Sequence, residues 1–356
     1  MTTTTRELDR DRVEEFAGTL VDRYAGALIT YMIDIGLRTR LFEAAAPGPA
    51  TSTELAERAG LQERYVREWL GAVVTGGLMT YDARDRTYAL PPEHAACLTG
   101  AGAANLAPMS QLITLLGGHL DSVTAAFRDG GGVPYELFGP RFTEVMDRLG
   151  RGTFDDLLVS EIVPIVPGLH DDLARGIRVA DVGCGSGHAI NLLAAAYPAS
   201  RFVGYDLAGD AIERARDEAR TLDLTNARFE VLDAVDLAPA EPYDVVLAFD
   251  AIHDQAAPAT VLRRIRESLA TGGRFVMLDI RAATDLADNL DHPMAPMLYG
   301  LSTLHCLTVS LAYGGTGLGA VWGEQLARQM LADAGFTDVS VAEVPGDPLN
   351  SLYVAR

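Results

Sequence analysis

One short stretch, residues 177 to 206, constrains the fold of this chain more than any other. The stretch reads IRVADVGCGSGHAINLLAAAYPASRFVGYD. It begins with an apolar segment, continues through a glycine-rich turn and an amphipathic segment, and closes with a second apolar segment that ends on an acid. This order predicts a strand over residues 177–182, a helix over 189–197 and a strand over 202–205. Because the turn lacks side chains at alternate positions, a ligand can lie directly against the backbone N–H groups at the start of the helix.

The glycine spacing separates two kinds of ligand-binding turn. Glycine stands at every second position of the turn, at Gly183, Gly185 and Gly187. A dinucleotide-binding turn would place its third glycine, or an alanine, one position later, where this chain has His188. With Asp181 two residues before the turn and Asp206 at the end of the second strand, the stretch resembles the class I S-adenosylmethionine-dependent methyltransferases.

The resemblance implies S-adenosylmethionine as the cofactor and gives roles to acids at the strand ends. The two oxygens of Asp206 suit the paired hydroxyls of a ribose, and Leu207 would then lie against the adenine. Asp233, followed by Ala234, resembles the acid that accepts a hydrogen bond from the adenine amino group, although this carboxylate could also cap a turn. Asp181 would orient the methionine portion. The implied cofactor-binding residues are Asp181, Gly183, Cys184, Gly185, Gly187, Asp206, Leu207, Asp233, Ala234, Phe249 and Asp250.

A histidine follows the fourth predicted strand, in the sequence LAFDAIHD over residues 247–254. Histidine followed by aspartate at this place resembles the small-molecule O-methyltransferases, in which that histidine, here His253, is the general base. Methyl transfer from a sulfonium is an in-line displacement, so a proton acceptor is needed only for a hydroxyl-like nucleophile. The O-methyltransferase pattern often has tryptophan where this chain has Gln255. His253 is therefore either the catalytic base or a hydrogen-bonded residue of the site wall.

The order of apolar segments predicts an α/β fold with a doubly wound sheet, and the resemblance implies that the sheet is Rossmann-like and seven-stranded. An N-terminal all-helical and winged-helix domain precedes it, and its apolar helices together with the resemblance imply that it is a dimerisation domain. We expect three regions: residues 1–100 as the N-terminal domain, 101–167 as connecting helices, and 168–356 as the methyltransferase domain. The predicted strands of the last region lie at residues 177–182, 201–205, 227–232, 243–249, 273–279, 337–344 and 349–354.

The N-terminal region has the pattern of a winged helix. A polar tail over residues 1–10 is expected to fray, and an apolar stripe over 13–46 predicts one long helix, or two joined near Gly36, that serves as core or subunit interface. Two short helices at 54–59 and 62–75 are followed by two short strands within 78–90.

This module could bind DNA or form a dimerisation platform. Between Thr51 and Leu98 it carries five arginines against seven acids, whereas a DNA recognition helix is normally basic. The charge favours dimerisation over nucleic-acid binding.

Two segments are candidates for the substrate cavity. The first, residues 135–154, is rich in aromatic residues and methionine, which could line the cavity or pack between domains. The second, an apolar and glycine-rich insertion over 282–323, resembles the lid of the winged-helix methyltransferases. We expect His305 and Tyr313 to face the substrate, which would be apolar or aromatic. His305 and Cys306 are adjacent and cannot form one helix-face metal pair, so no metal site is predicted.

Bulk composition narrows the functional classes. The net charge of −20 disfavours nucleic-acid and anionic-membrane partners, and we find neither a secretory signal nor a membrane span, so a cytoplasmic protein is expected. Three dispersed cysteines suggest no disulfide framework. The predicted function is methylation of a small metabolite of secondary metabolism by a homodimer. Two alternatives stay open: an enzyme that retains the cofactor for non-methylating chemistry, and a winged-helix DNA-binding regulator that senses S-adenosylmethionine.

Overall fold

The computed structural model describes residues 8–356, so most of the predicted polar tail lies outside the described residues. The chain divides after Thr114 into two compact units, the second of which runs from Leu115 to Arg356. The region boundaries expected near residues 100 and 167 stay predictions.

The first unit contains the expected helices and hairpin. Its elements are α1 (Arg10–Thr39), α2 (Leu41–Ala45), α3 (Ser52–Ala59), α4 (Glu63–Thr75), β1 (Thr80–Asp82), β2 (Thr87–Ala89) and α5 (Pro92–Leu98), and α6 (Pro108–Gly117) crosses the unit boundary. Of the two predicted alternatives, the structure has two joined helices: α1 and α2 meet at Arg40, whose φ of 58° is left-handed, four residues after the junction expected near Gly36. Gly36 instead lets α1 pack closely, since a Cβ there would lie 2.4 Å from the Phe42 ring.

Local signals in the sequence explain the helix-turn-helix. Thr51 and Glu54 form a reciprocal capping box at the start of α3, and Gly60 ends that helix in the left-handed conformation. The buried faces of α3 and α4 meet around Leu55 and Leu70, and the Trp69 indole N–H donates to the Met32 carbonyl at 2.8 Å. The antiparallel β1–β2 pair forms the wing, with Tyr81 opposite Tyr88.

The second unit is built on a seven-stranded sheet of order β5-β4-β3-β6-β7-β9-β8. Its strands are β3 (Arg178–Val182), β4 (Arg201–Asp206), β5 (Ala227–Val231), β6 (Tyr243–Phe249), β7 (Leu269–Ile280), β8 (Val339–Val344) and β9 (Asp347–Ala355). The first five strands of the order pair in parallel, and β9 and β8 add the antiparallel edge. This confirms the predicted doubly wound sheet. The strand order reverses at β3 and β6, which places the ligand crevice outside their carboxyl ends.

Helices pack on both faces of this sheet. The helices of the second unit are α7 (Leu120–Asp129), α8 (Gly139–Thr153), α9 (Val163–Ile165), α10 (Leu169–Arg175), α11 (His188–Ala196), α12 (Gly209–Thr221), α13 (Pro258–Ser268), α14 (Ala295–Leu304), α15 (Cys306–Ala312) and α16 (Gly323–Asp333). A π-helical segment, Phe154–Ile162, continues α8. One apolar core includes Ile190, Phe202 and Leu158, and the other, on the opposite face, includes Leu262 and Phe275.

The predicted lid insertion is mostly helical, with α14 and α15 joined at His305. The whole stretch Ala295–Ala312 is long and apolar enough to cross a membrane by length and composition alone. It is interrupted at His305, where φ is −136° and ψ is −79°, and 39% of it is buried within the protein. Among the described residues it alone meets that criterion, and it carries little weight as a membrane span.

Candidate active site

The glycine turn connects β3 to α11 and requires glycine for steric reasons. Gly183, Gly185 and Gly187 have φ values of 77°, 53° and 71°, a region that residues with a Cβ rarely occupy. A Cβ at Gly183 would lie 2.4 Å from the Cβ of Ala251, and one at Gly187 would lie 2.4 Å from the Phe229 ring. At Gly185 an added Cβ would meet nothing within 4 Å, so this part of the turn borders open space.

Asp206 lies at the carboxyl end of β4 and holds the glycine turn. One carboxylate oxygen accepts the backbone N–H of Gly185 at 2.8 Å, and the other accepts that of Ala208 at 2.8 Å. Burial raises the pKa of Asp206, although these backbone donors act in the opposite direction. A carboxylate offers about four lone-pair sites, so each oxygen keeps capacity for a further donor. The adjacent Leu207 is 61% exposed.

Two further acids near the turn have unpaired oxygens. Asp181 and Asp250 each have one buried carboxylate oxygen without a hydrogen-bond partner. Burial, reinforced by Asp206, raises the pKa of Asp181 to about 7, and burial, reinforced by Asp279, raises that of Asp250 to about 8. Asp250 also has a left-handed φ of 51°, which is uncommon for a residue with a side chain. Buried, unsatisfied carboxylates of this kind suit a ligand that brings positive charge or N–H donors.

The remaining implied cofactor-binding residues lie at or just after the ends of β5 and β6. Asp233 caps a short 3-10 turn, because its carboxylate accepts the N–H of Val235 at 3.1 Å, as the capping alternative proposed. Ala234, the first residue of that turn, is buried. Phe249, at the end of β6, packs against Phe154 with ring centroids 5.3 Å apart.

His253 is buried between two carboxylates. Its Nδ1 lies 2.8 Å from the Oδ1 of Asp279, and its Nε2 lies 3.2 Å from the Oδ1 of Asp254. Burial opposes the imidazolium form, but the charges of Asp279 and Asp254 outweigh it and raise the pKa of His253 well above its ordinary value. An Nδ1–H donated to Asp279 would direct the lone pair of the neutral ring to Nε2.

Asp279 is a site residue that the sequence reasoning did not select. It ends the run GGRFVMLD, and its Oδ1 accepts hydrogen bonds from His253, from the Trp322 indole at 3.0 Å and from the backbone of Ile280 at 2.8 Å. The signal that could have found it is position: β7 lies beside β6 in the parallel sheet, so polar residues at the carboxyl ends of the two strands lie close together.

The structure also brings Cys306 to His253, although 53 residues of sequence separate them. One ligand atom from each of His253, Asp254 and Cys306 lies within 4.8 Å of the others. Burial raises the pKa of the Cys306 thiol to about 12, so the group stays protonated near neutral pH. The expectation that the site uses no metal stays a prediction.

His305 lies inside an aromatic cluster formed with Tyr135, Phe138 and Phe142. Its ring stacks on Phe142 with centroids 3.9 Å apart and an interplanar angle of 14°, and Phe138 lies edge-on at 4.8 Å. Burial lowers the pKa of His305 to about 4, so the ring is neutral near pH 7. Its Nε2 is buried without a partner, whereas Nδ1 lies 4.0 Å from the Oδ2 of Asp254. The insertion thus places a neutral ring with a free hydrogen-bonding nitrogen close to Asp254, the residue that follows His253.

Tyr313 is partly exposed, whereas His305 is buried. The side chain is 46% exposed, and its hydroxyl donates to Glu136 at 2.5 Å while accepting the backbone N–H of Tyr135 at 3.1 Å. The hydroxyl therefore ties the end of α15 to residues 135–136. Its expected contact with substrate stays a prediction.

Known protein families match both units. Residues 27–100 match the family described as the Rv2258c-like winged HTH domain, and residues 173–341 match the family described as a methyltransferase domain. Among curated proteins, a trans-aconitate 2-methyltransferase of Methylobacterium nodulans is 33% identical over 121 residues, which are 34% of this chain and 42% of that protein. A ubiquinone biosynthesis O-methyltransferase of Neisseria meningitidis is 38% identical over 97 residues, 26% of this chain and 40% of that protein.

Solved structures resemble nearly the whole chain. A putative O-methyltransferase of Nostoc punctiforme has a TM-score of 0.75 at 19% identity, with 95% of this chain and 98% of that chain covered. The mitomycin 7-O-methyltransferase MmcR has a TM-score of 0.74 at 19% identity, with 98% and 100% covered. Human N-acetylserotonin methyltransferase, solved with S-adenosylmethionine, has a TM-score of 0.70 at 17% identity, with 100% and 99% covered. At these identities the similarity establishes the fold.

The chain spans 40 to 55% of the length of the curated relatives that it matches. The two domain matches and the sheet order agree with the family and the cofactor class expected from the glycine turn. The chain therefore belongs to the class I S-adenosylmethionine-dependent methyltransferases that carry an N-terminal winged-helix domain.

Proposed function

We propose that this protein methylates an oxygen atom of a small apolar or aromatic metabolite, with His253 as the proton acceptor. The observation that carries the proposal is the buried imidazole held at Nδ1 by Asp279, 2.8 Å away, at the carboxyl end of the sheet. A proton acceptor is required when the nucleophile is a hydroxyl and contributes little when it is an amine that is already neutral.

The residues around the glycine turn fit S-adenosylmethionine. Gly185 borders open space, Asp206 has capacity for hydroxyl donors, and Asp181 and Asp250 have unpaired buried oxygens that suit an ammonium or sulfonium charge. When bound, this cofactor supplies an electrophilic methyl group. Cys184, whose N–H donates to the Tyr205 carbonyl at 2.9 Å, belongs to the backbone that would cradle it.

His253 would take the hydroxyl proton at Nε2, while its Nδ1–H stays donated to Asp279 and the carboxylate stabilises the imidazolium that forms. Because the pKa of His253 is raised, the ring is an imidazolium in the resting enzyme near neutral pH, and it must lose its Nε2 proton before it can act as a base. Asp254 lies 3.2 Å from Nε2 and its side chain is 29% exposed, so it offers this proton a route to solvent.

The aromatic cluster around His305 supports the substrate class. Tyr135, Phe138 and Phe142 provide flat apolar surfaces, and the unpaired Nε2 of His305 offers one hydrogen bond to a polar substituent. Such a surface suits a planar substrate with few polar groups.

The test is calorimetric titration of wild type and Asp206→Ala with S-adenosylmethionine and S-adenosylhomocysteine, followed by a substrate screen that detects S-adenosylhomocysteine. Loss of the charge-assisted contacts of Asp206 should weaken binding by about 2 kcal/mol or more. Asp223→Asn, which removes an acid just beyond the far end of α12 and suits the left-handed φ of 53° there, is the matched control and should bind as wild type does. Failure of the wild type to bind either ligand would refute the methyltransferase proposal. Binding without detectable product from any hydroxylated substrate would favour the non-methylating alternative.

We further propose that the protein is a homodimer joined through α1. Seven apolar side chains of this helix are 42 to 63% exposed within the first unit: Val13, Phe16, Val21, Tyr24, Leu28, Tyr31 and Ile35. Exposed apolar surface of this extent is typical of a subunit interface. Light scattering should give twice the chain mass for wild type and the chain mass for Phe16→Glu combined with Tyr24→Glu, whereas Asp22→Arg, a charge change on the opposite side of α1, should stay dimeric.

Intrahelical ion pairs support the expectation that nucleic acid is not a partner. In α4, the helix that would enter a DNA groove, Arg64 pairs with Glu68 at 2.5 Å and Arg67 with Glu63 at 3.3 Å. These contacts neutralise the arginines that would otherwise contact phosphates. Specific retention of duplex DNA at moderate salt would overturn this proposal.

A further inference from the structure

A cluster of charged residues lies beside the glycine turn and has no role in the chemistry described above. It joins Asp147 and Arg151 of α8 to His188 at the start of α11 and Glu218 of α12. Arg151 forms a bidentate pair with Asp147, with contacts of 3.0 and 3.2 Å, and donates to Glu218 at 2.7 Å. Their side chains are mostly buried, with 34% of Arg151, 19% of Asp147 and 20% of Glu218 exposed.

This charged cluster also holds the glycine turn, at residues next to the one that Asp206 contacts. The hydroxyl of Ser186, between the last two glycines of the turn, donates to Asp147. His188, the residue after the turn, lies with Nδ1 2.9 Å from Glu218 and with Nε2 2.9 Å from Asp155. Glycine backbones have the largest conformational freedom, so a turn with three of them needs such external contacts to keep one shape.

Helix α8 also reaches the aromatic cluster. Phe142, nine residues before Arg151, is the residue that stacks on His305. The π-helical continuation of α8 adds Phe154, which packs on Phe249, and Asp155, which bonds His188. One continuous helical segment therefore contacts the cofactor turn, the end of β6 and the lid.

We propose that Asp147 and Arg151 are positioning residues for the cofactor turn, and that through them α8 couples cofactor binding to the ordering of the aromatic cluster around His305. The proposal rests on the proposed function in one respect, since it takes the glycine turn as the cofactor site. Asp147 acts directly, through Ser186. Arg151 acts indirectly, because it fixes the carboxylate of Asp147 and links it to Glu218 and His188.

Coupling of this kind is reciprocal. A ligand that orders the glycine turn stabilises the position of α8, and therefore that of Phe142 against His305. A substrate that packs on the aromatic cluster would tighten cofactor binding by the same factor. The charged cluster would then make the two halves of the site respond to each other.

The first measurement is a double-mutant cycle on the affinity for S-adenosylhomocysteine. Asp147→Asn and Ser186→Ala should each weaken binding roughly tenfold, since the first takes the charge from the acceptor and the second takes away the donor of the same charge-assisted hydrogen bond. The double variant should bind about as weakly as either single variant. Arg220→Gln, which breaks only the exposed Arg220–Asp217 pair on α12, is the matched control and should leave the affinity unchanged. Melting curves identify any variant that fails to fold, and Ser186→Ala is the mildest change.

The second measurement is amide hydrogen exchange at saturating S-adenosylhomocysteine. In wild type the ligand should slow exchange both in the glycine turn and in the peptide that contains Phe142. In Asp147→Asn and in Arg151→Gln it should slow exchange in the turn alone, which a purely structural role of the two residues would not produce.

The outcomes separate this proposal from the proposed function. If wild type does not bind the ligand, the proposed function fails, and the positioning proposal fails with it. If wild type binds, three results would each overturn the positioning proposal alone. The first is an affinity of Asp147→Asn equal to that of wild type, and the second is a loss of about a hundredfold in the double variant, as independent sites would give. The third is ligand-induced protection around Phe142 that is the same in the two variants as in wild type.

Discussion

Replacement of Asp279 by asparagine tests the central feature of the site. Asp279→Asn keeps the size of the side chain but removes the charge that faces the Nδ1 of His253 at 2.8 Å. Both side chains are buried, with 5% of His253 and 1% of Asp279 exposed, so solvent screens their interaction weakly. A hydrogen bond to a charged group contributes about 1.5 to 3 kcal/mol, and its loss corresponds to a roughly 10- to 150-fold change in the ratio of protonated to neutral imidazole.

The expected result is a lower pKa for His253 in the variant. Burial, which lowers the pKa of His253, remains, while Asp279, its largest raising cause, is gone. Titration of ring-labelled histidine by NMR in the presence of S-adenosylhomocysteine measures this directly, and His253→Gln assigns the resonance. Trp322→Phe, which removes another donor to Asp279 but keeps the carboxylate, is the matched control and should leave the pKa of His253 raised.

Asp279→Asn also tests how the protonation of His253 contributes to the stability of the folded state. A histidine whose pKa is raised by folding stabilises the folded state fully below its unfolded pKa, and that contribution is lost as pH rises through the raised folded pKa. Wild type should therefore lose stability over that interval, which begins at the ordinary histidine pKa, and Asp279→Asn should lose less. An unchanged pKa of His253, or an equal pH dependence of the melting temperature in the two proteins, would contradict the reasoning.

Three further predictions concern the turn, the base and the cysteines. Gly187→Ala should lower the free energy of unfolding by about 1 to 3 kcal/mol, because the added Cβ would overlap the Phe229 ring and the residue has a left-handed φ. Gly185→Ala, where the added Cβ meets nothing, should mainly weaken S-adenosylmethionine binding. Denaturant titration measures the first effect and calorimetry the second. The rate of methyl transfer to a hydroxyl substrate should rise with pH through the raised pKa of His253, and a rate that falls over that range would exclude the neutral ring as base. An aromatic disulfide reagent should react at neutral pH with the exposed Cys97 and leave Cys306 intact, because burial raises the pKa of the Cys306 thiol to about 12. Peptide mapping by mass spectrometry identifies the modified cysteine.

Local patterns in the sequence were sufficient to place the glycine turn and the strands. Positive φ values at Gly183, Gly185 and Gly187 depend on steric rules that act within a few residues, and a period-2 or continuous apolar run predicts a strand without knowledge of its neighbours. Even so, β7 begins at Leu269, four residues before its predicted start at Gly273, because pairing with β6 extends it. The break after α1 at Arg40 has no proline or glycine to announce it.

The sequence by itself thus determined the order of domains, the turn that would hold the cofactor and the histidine that could act as base. Only the tertiary structure decided which side chains act on them: Asp279 reaches His253 across 26 residues, Asp147 reaches Ser186 across 39, and Phe142 stacks on His305 from a distant helix. Backbone conformation in a turn or strand depends on residues that are close in sequence, so it can be predicted from the sequence pattern. Hydrogen bonds and ring stacking between distant residues depend on how separate helices and strands pack, so they are known only once the complete fold is known.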